Sequence, residues 1–219
     1  MNSIIDSMAS VLKECKTIIE AGIGTGRFAV PVSQRGFSVV GLDISQKMMS
    51  IARQKGLRDL LLGDAKGKIP FKDDSFDAAL VVHVLHLIDD WKSVVHGLAR
   101  VSRRYVVTVF SQTEGINPRN CYAGLRRDFG FPLNHDHQSW KSALSEARIV
   151  QVYDQLEEID GDESIVYLQN RGSSVTWDVP DMIHEKIMAH LKGELQGKTF
   201  RRRAITKIGL WESKRLQRI

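Results

Sequence analysis

The stretch Glu20-Ala-Gly-Ile-Gly-Thr-Gly26 continues the β-rich run Thr17-Ile-Ile-Glu-Ala21, and its reading decides the fold. A short apolar run ending in a glycine cluster suits a buried parallel strand whose chain turns sharply at its carboxyl end. Gly22, Gly24 and Gly26 allow that turn and let a ligand lie against bare backbone. A glycine pattern alone is a weak signal, because loop glycines also serve as packing turns. Its meaning depends on what the neighbouring strands deliver beside it.

Working outward, the pattern predicts a helix over 27–34 stopped by Gly36, and a second strand over 37–42 that ends at Asp43. Ser45 reads as the cap of a helix carrying Met48, Met49, Ile51 and Ala52, closed by Gly56. A third strand over 59–62 runs into Gly63-Asp64, and a loop with Pro70 leads to a fourth over 76–82. Asp89 or Asp90 caps a helix with Trp91, Val94, Val95, Leu98 and Val101 at helical spacing, and a fifth strand follows over 105–110. Short apolar strands alternating with amphipathic helices predict βαβ units and a doubly wound, mostly parallel α/β sheet.

Three strand ends then deliver carboxylates to one edge. Glu20 lies two residues before the first glycine. Asp43 closes the second strand, where a carboxylate accepts hydrogen bonds from two ribose hydroxyls. Asp64 closes the third, within reach of an adenine amino group. Val82-His83 ends the fourth strand and completes a crevice of the kind in which open α/β sheets bind ligands. Each residue also has a plainer reading: Asp43 as a cap before Ser45, Asp64 as a turn aspartate. A nicotinamide fingerprint GxGxxG would need glycine where Arg27 stands, and the chain offers no second domain for a hydride acceptor.

Taken together, Glu20-x-Gly-x-Gly-x-Gly26, Gly41-Leu-Asp43-Ile-Ser45, Gly63-Asp64-Ala65, Pro70-Phe71 with Asp74-Ser75-Phe76-Asp77, and Leu85-His86-Leu-Ile-Asp89 resemble the type 11 branch of class I S-adenosylmethionine-dependent methyltransferases. The likeness runs over about residues 16–110. A fainter one continues through Arg171-Gly172-Ser-Ser-Val-Thr-Trp177, resembling members with a helical insertion before the last strand. The resemblance implies a seven-stranded Rossmann-like sheet in a single domain over 1–219. It implies S-adenosyl-L-methionine as cofactor and S-adenosyl-L-homocysteine as product. It assigns the methionine part to the loop at Gly22, Gly24 and Gly26, with Glu20 on the amino-group side. Asp43 takes the ribose hydroxyls, Ile44 and Met48 flank the adenine, Asp64 and Ala65 meet its edge, and the backbone near His83 approaches the methionine end.

Two departures accompany the likeness. Only about fifteen residues precede the first strand, so the N-terminal helices that often cover the cofactor are mostly missing; either the site is more open or 112–140 and 162–196 cover it instead. Ser102-Arg103-Arg104 replaces the usual Lys-Pro-Gly-Gly turn before the fifth strand.

Beyond Ser111 the pattern loosens. A helix is expected near 119–129, another over 138–147, a strand over 149–157 and a last strand within 200–213. Residues 163–169 read as a hairpin partner of 149–157 or as part of a helical insertion over 162–196. Asp162 as a cap, with Ile165, Val166 and Leu168 on one face, favours the helix.

Composition bounds the rest. The chain has 219 residues with 42% apolar and 26% charged, ordinary for one globular domain, and no apolar run long enough to cross a bilayer. Residues 1–10 show neither basic cluster nor long apolar stretch, so no signal peptide is expected. Cys15 and Cys121 form no metal or disulfide pattern and read as reduced thiols in a cytoplasmic protein. The formal charge of +5 is uneven: residues 198–219 hold eight basic residues against Glu212, a net +7, leaving 1–197 at −2.

His83 is the best-placed titratable group to take a proton from an acceptor or touch it, and a local structural role is its plainer reading. His86 reads as a packing residue of the turn. His135-Asp136-His137 lacks a third metal ligand and reads as solvated loop, so no metal is expected. Tyr122, Phe129, Phe131 and Trp140 either wall a substrate pocket or form a core beneath the loop. Arg201-Arg-Arg203 either binds phosphate or, on an edge strand, discourages edge-to-edge pairing. The expectation is methyl transfer to O, N or C of a small-molecule acceptor, with no membrane partner. An RNA or tRNA methyltransferase using the basic tail, and a non-catalytic cofactor-binding protein, are the rivals.

Overall fold

The computed structural model describes residues 2–133 and 147–217. The strands β1 (Thr17–Ala21), β2 (Ser38–Asp43), β3 (Leu60–Leu62), β4 (Phe76–Val82), β5 (Ser102–Gly115), β6 (Arg148–Asp160) and β7 (Thr199–Glu212) form one sheet in the order β3-β2-β1-β4-β5-β7-β6. Every pairing from β3 across to β5 is parallel, with Ile19 opposite Val40 on one side and Ala79 on the other. From β1 the chain builds outward to β2 and β3 and then returns to β4 on the far side of β1. The carboxyl ends of β1 and β4 therefore flank the point where strand order reverses, the usual ligand crevice of such sheets.

β7 breaks the parallel pattern. Ser111 Oγ lies 2.9 Å from Thr206 Oγ1 while Gly115 faces Arg201, so β7 runs opposite to β5. Arg203 pairs with Asp154 and Arg201 with Glu158, so β6 and β7 are antiparallel as well. The sheet is mixed, in a Rossmann-like α/β arrangement of strands and helices. β7 is flanked on both sides, so the arginines do not guard an edge; β6 and β3 are the edge strands.

The helices are α1 (Asn2–Val11), α2 (Ala29–Ser33), α3 (Gln46–Gln54), α4 (Trp91–Val101), α5 (Pro118–Asp128), α6 (Gly161–Gln169), α7 (Asp181–Leu195) and α8 (Ser213–Leu216), with 3-10 turns at Leu85–Leu87 and Ser174–Thr176. The expected caps hold at Ser45, whose Oγ accepts the Met48 N–H, and at Asp90, whose Oδ1 accepts that of Ser93. Residues 163–169 are helical, but Asp160 caps the helix through the Glu163 N–H, while Asp162 accepts from Gly197. Ser102-Arg103-Arg104 is no turn. The chain passes straight from α4 into β5, and the buried Ser102 hydroxyl satisfies itself against Leu98 O and Ser213 Oγ. The helix expected over 138–147 falls largely outside the described residues, as do His135, Asp136, His137 and Trp140.

The chain divides into two compact units. One holds the described residues through Phe110 together with those of 135–152 and 207–219; the other holds those of 111–134 and 153–206. In the first, Ile19, Leu42, Ala79 and Val81 of the sheet pack with Val94, Val95, Leu98 and Val101 of α4, and Trp211 and Leu216 join them. Each fully buried Val or Leu there contributes about 1.5–3 kcal/mol. Asp77 pins β4 to the start of β1 by accepting from Lys16 N, Thr17 N and Thr17 Oγ1. Burial opposes its charge, but those bonds and Arg103 outweigh it and bring the carboxyl down to about 2.

In the second unit, Tyr122, Ile165, Leu168, Ile187, Met188 and Leu191 form a core between α5, α6 and α7. Arg126, 1% exposed, forks onto both oxygens of Asp178 and donates to the carbonyls of Phe131, Pro132 and Val175. A buried guanidinium is tolerable only when so fully paired. The arginines of β7 are likewise engaged: Arg201 with Glu158, Arg202 with Glu157, and Arg203 with Asp154 and Glu114.

Candidate functional site

The glycine loop leaves β1 and is tied at once to β2, because the N–H groups of Gly22 and Ile23 both donate to Leu42 O, at 2.8 and 3.2 Å. Gly22, Gly24 and Gly26 all have positive φ, of 69°, 54° and 74°. Gly22 must also be bare, since a Cβ there would lie 2.1 Å from Val84 Cγ2. Gly24 is bare for another reason. A Cβ there would meet nothing within 4 Å, so the loop presents open backbone at its tip.

Glu20 lies beneath this loop, 2% exposed. Its carboxyl takes the Ala29 N–H, while Oε2 is buried with no hydrogen-bond partner among the described residues. Burial first, and then the nearby Asp43 carboxylate, push Glu20 up to about 8 against the opposing Ala29 bond. A buried polar oxygen left unpaired costs about 1–3 kcal/mol, so a group that donates to it when bound recovers that cost.

Asp43 ends β2 and is half-buried. Its Oδ1 accepts the Ser45 N–H at 2.8 Å and its Oδ2 the Gly24 N–H at 2.7 Å, leaving a lone pair on each oxygen for a further donor. Ile44 beside it is 71% exposed, an uncovered apolar side chain next to a carboxylate, and Met48 on α3 is half-buried. Gly63 N donates to Asp43 O, which brings the end of β3 alongside. Asp64 is exposed there, its Oδ1 fixed by the Lys66 N–H at 2.9 Å, and Ala65 turns inward to the core. Glu20, Asp43 and Asp64 thus stand at the carboxyl ends of three adjacent strands.

His83 follows β4 with φ of 54°, a conformation a non-glycine residue adopts at a cost of about 1–3 kcal/mol. Its exposed ring lies 5.8 Å from that of Phe28, tilted by 53°. His86 sits half-buried in the 3-10 turn. Tyr122 belongs to the core of the second unit, bonded to His184 Nδ1 at 2.6 Å, and Phe129 and Phe131 are partly exposed. Among the described residues no group of His, Cys, Asp and Glu is arranged to hold a metal, and no helix is long and apolar enough to cross a membrane.

Two residues of this edge escape a reading of the sequence. Phe28, buried against His83, looks like one more apolar residue of a helix. Leu62, opposite Asp43 in the β2–β3 register, looks like strand core yet is 56% exposed. The signal for Leu62 is its place as the last strand residue before Gly63-Asp64, where an apolar side chain leaves the sheet.

Comparison with known proteins agrees with this geometry. The methyltransferase domain family matches residues 19–110. A demethylmenaquinone methyltransferase of Tropheryma whipplei is 35% identical over 115 residues, 50% of this chain and 46% of that one. An uncharacterized protein of Methanocaldococcus jannaschii is 38% identical over 87 residues, 39% of each chain. The chain therefore spans less than half the length of these curated relatives. The structure of the YcgJ protein from Bacillus subtilis superposes with a TM-score of 0.62 over 96% of this chain and 98% of that one, at 20% identity, a likeness of fold. The matched stretch, residues 19–110, holds the glycine loop and the carboxylates at the ends of β1, β2 and β3.

Proposed function

We propose that the protein transfers a methyl group from S-adenosylmethionine to an O, N or C nucleophile of a small-molecule acceptor, releasing S-adenosylhomocysteine. The observation that carries the reading is the unpaired Oε2 of Glu20, buried beneath the open backbone of Gly24 and beside Asp43. A ligand with an amino group, a ribose diol and a flat ring meets the Glu20 acceptor, the Asp43 acceptor and apolar surface in that order along this edge. Glu20 faces the amino group, and the loop at Gly22, Gly24 and Gly26 lies against the methionine chain. Asp43 accepts from the ribose hydroxyls, Ile44, Met48 and Leu62 border the adenine, and Asp64 with Ala65 meets its edge.

When bound, the cofactor supplies an electrophilic methyl on a sulfonium. The chain's task is alignment: holding a nucleophile in line and dry supplies about 7–11 kcal/mol. His83, at the tip of β4, takes the acceptor's proton where one must leave. The small-molecule reading gains over the nucleic-acid one because Arg201, Arg202 and Arg203 are each occupied by a carboxylate, which removes them as free phosphate contacts. Cys15 and Cys121, both free thiols, fit a reducing cytoplasm.

Calorimetric titration with S-adenosylmethionine, followed by a coproduct assay across a panel of acceptors, tests the proposal. Cofactor binding together with S-adenosylhomocysteine formed on a small acceptor is the expected result. Binding without turnover on any acceptor would make the protein a cofactor sensor, and turnover on RNA alone would reassign the acceptor.

A further inference from the structure

A second set of polar side chains lies along α4, and nothing in the methyl-transfer reading uses it. Lys66, Lys68, Ser93, His96 and Arg100 line a groove of about 320 Å³ over Gly97 and Ile69, and no carboxylate is in its wall. Gly97 lies in its lining beside Ile69, where an added Cβ would sit in ordinary contact, 3.4 Å from Ile69 Cδ1. Arg100 is held rigidly, since it donates to Ile69 O at 2.7 Å and to Phe71 O at 2.9 Å and pairs with Asp73. The other polar side chains of the lining are not engaged. The amines of Lys66 and Lys68, the Ser93 hydroxyl and the His96 ring make no hydrogen bond or ion pair among the described residues. The acids bonded to its lining are each engaged: Asp73 by Arg100, Asp90 by the Ser93 N–H and Asp64 by the Lys66 N–H.

We propose that this groove binds a small phosphate-bearing anion, a phosphate monoester or diphosphate. Two ammonium groups, a hydroxyl and an imidazole around one concavity match the several strong acceptors of a phosphate, with the Arg100 guanidinium behind them. The volume suits a ligand of that size, at the low end of the roughly 300–1,000 Å³ of small-molecule sites. A nucleic-acid strand needs a run of free cations along its backbone. Here two unengaged amines share one short groove, whereas the consecutive arginines 201–203 are neutralised by Glu158, Glu157, Asp154 and Glu114.

The test is calorimetric titration of the full chain with magnesium-free inorganic pyrophosphate at fixed ionic strength. Saturable one-to-one binding is expected, weakened by about tenfold or more in a Lys66→Gln/Lys68→Gln pair and retained in a Lys66→Arg/Lys68→Arg pair. Affinity for S-adenosylmethionine should be unchanged in both, which separates this site from the proposed methyl-transfer site and confirms that the variants fold. Absence of saturable binding, or equal binding by the glutamine pair, would overturn the proposal. Tighter binding of a single-stranded RNA oligonucleotide than of pyrophosphate, lost in the same pair, would overturn the assignment to a small ligand.

Discussion

Oδ2 of Asp43 accepts the backbone N–H of Gly24 at 2.7 Å, across nineteen residues of sequence. One carboxylate thus draws the tip of the glycine loop onto the end of β2 and, through Oδ1 and Ser45, fixes the entry to α3. The side chain assigned to the ribose also sets the shape of the loop assigned to the methionine.

Asp43→Ala should therefore weaken S-adenosylmethionine binding by about 1.5–3 kcal/mol, the range for hydrogen bonds to a charged group. Because the loop loses its anchor too, binding should become more unfavourable in entropy than the wild type. Titration calorimetry reads both, and unchanged affinity would remove Asp43 from the site.

Glu20 predicts a pH dependence. Its folded-state value of about 8 lies above the ordinary 4.5, so the ligand-free protein holds it neutral while the unfolded chain ionises it. The stabilisation is complete below pH 4.5 and is lost as pH rises through about 8. Melting temperature of the ligand-free protein should fall across that window, and Glu20→Gln should flatten the fall. A donor reaching Oε2 should favour the ionised form, so cofactor binding near neutral pH should release a proton, measurable as a buffer-dependent heat.

Gly22 and Gly24 should respond differently to alanine. At Gly22 the new methyl meets Val84 at a φ of 69°, so the fold should lose stability by about 1–3 kcal/mol or more. Val84→Ala should recover part of that loss. At Gly24 the methyl meets nothing, so the melting temperature should change less while cofactor affinity suffers more. Paired melting and binding measurements on the two variants distinguish packing from ligand approach.

His83→Gly relieves the positive φ and should leave the melting temperature equal or higher. If His83 removes the acceptor's proton, turnover should drop by about 10²–10⁴-fold with little change in cofactor affinity. Retained turnover would reduce His83 to a structural residue beside Phe28.

Legibility in the sequence followed the locality of the cause. β4 could be bounded because an apolar run interrupted by a single residue, Asp77, stands between Ser75 and His83, and Ser45 was visible because its cap is closed three residues later. The three carboxylates could be placed at one edge because each lies within two residues of the carboxyl end of its strand. α1 was not foreseen, although Ile5, Met8 and Leu12, all buried, have helical spacing; the run is short and mixed with polar residues. The continuation of β5 from Ser111 to Gly115 was missed because that stretch is polar and pairs with a strand nearly a hundred residues later. Arg126 reads as surface charge until Asp178 and three carbonyls are brought to it. Asp160 rather than Asp162 caps α6, a displacement that spacing alone does not resolve.

The strand order carries a consequence for assembly. β6 pairs in the sheet only with β7, and β7 comes after both of the strands it separates. On a chain emerging from the ribosome, β6 thus waits without a sheet partner until residues 199–212 have been made and slotted in beside β5. Such late, long-range closure slows folding and leaves a bare strand open to other chains. Shortening the chain before β7 should accordingly yield aggregate, even though every residue of the glycine loop would still be present.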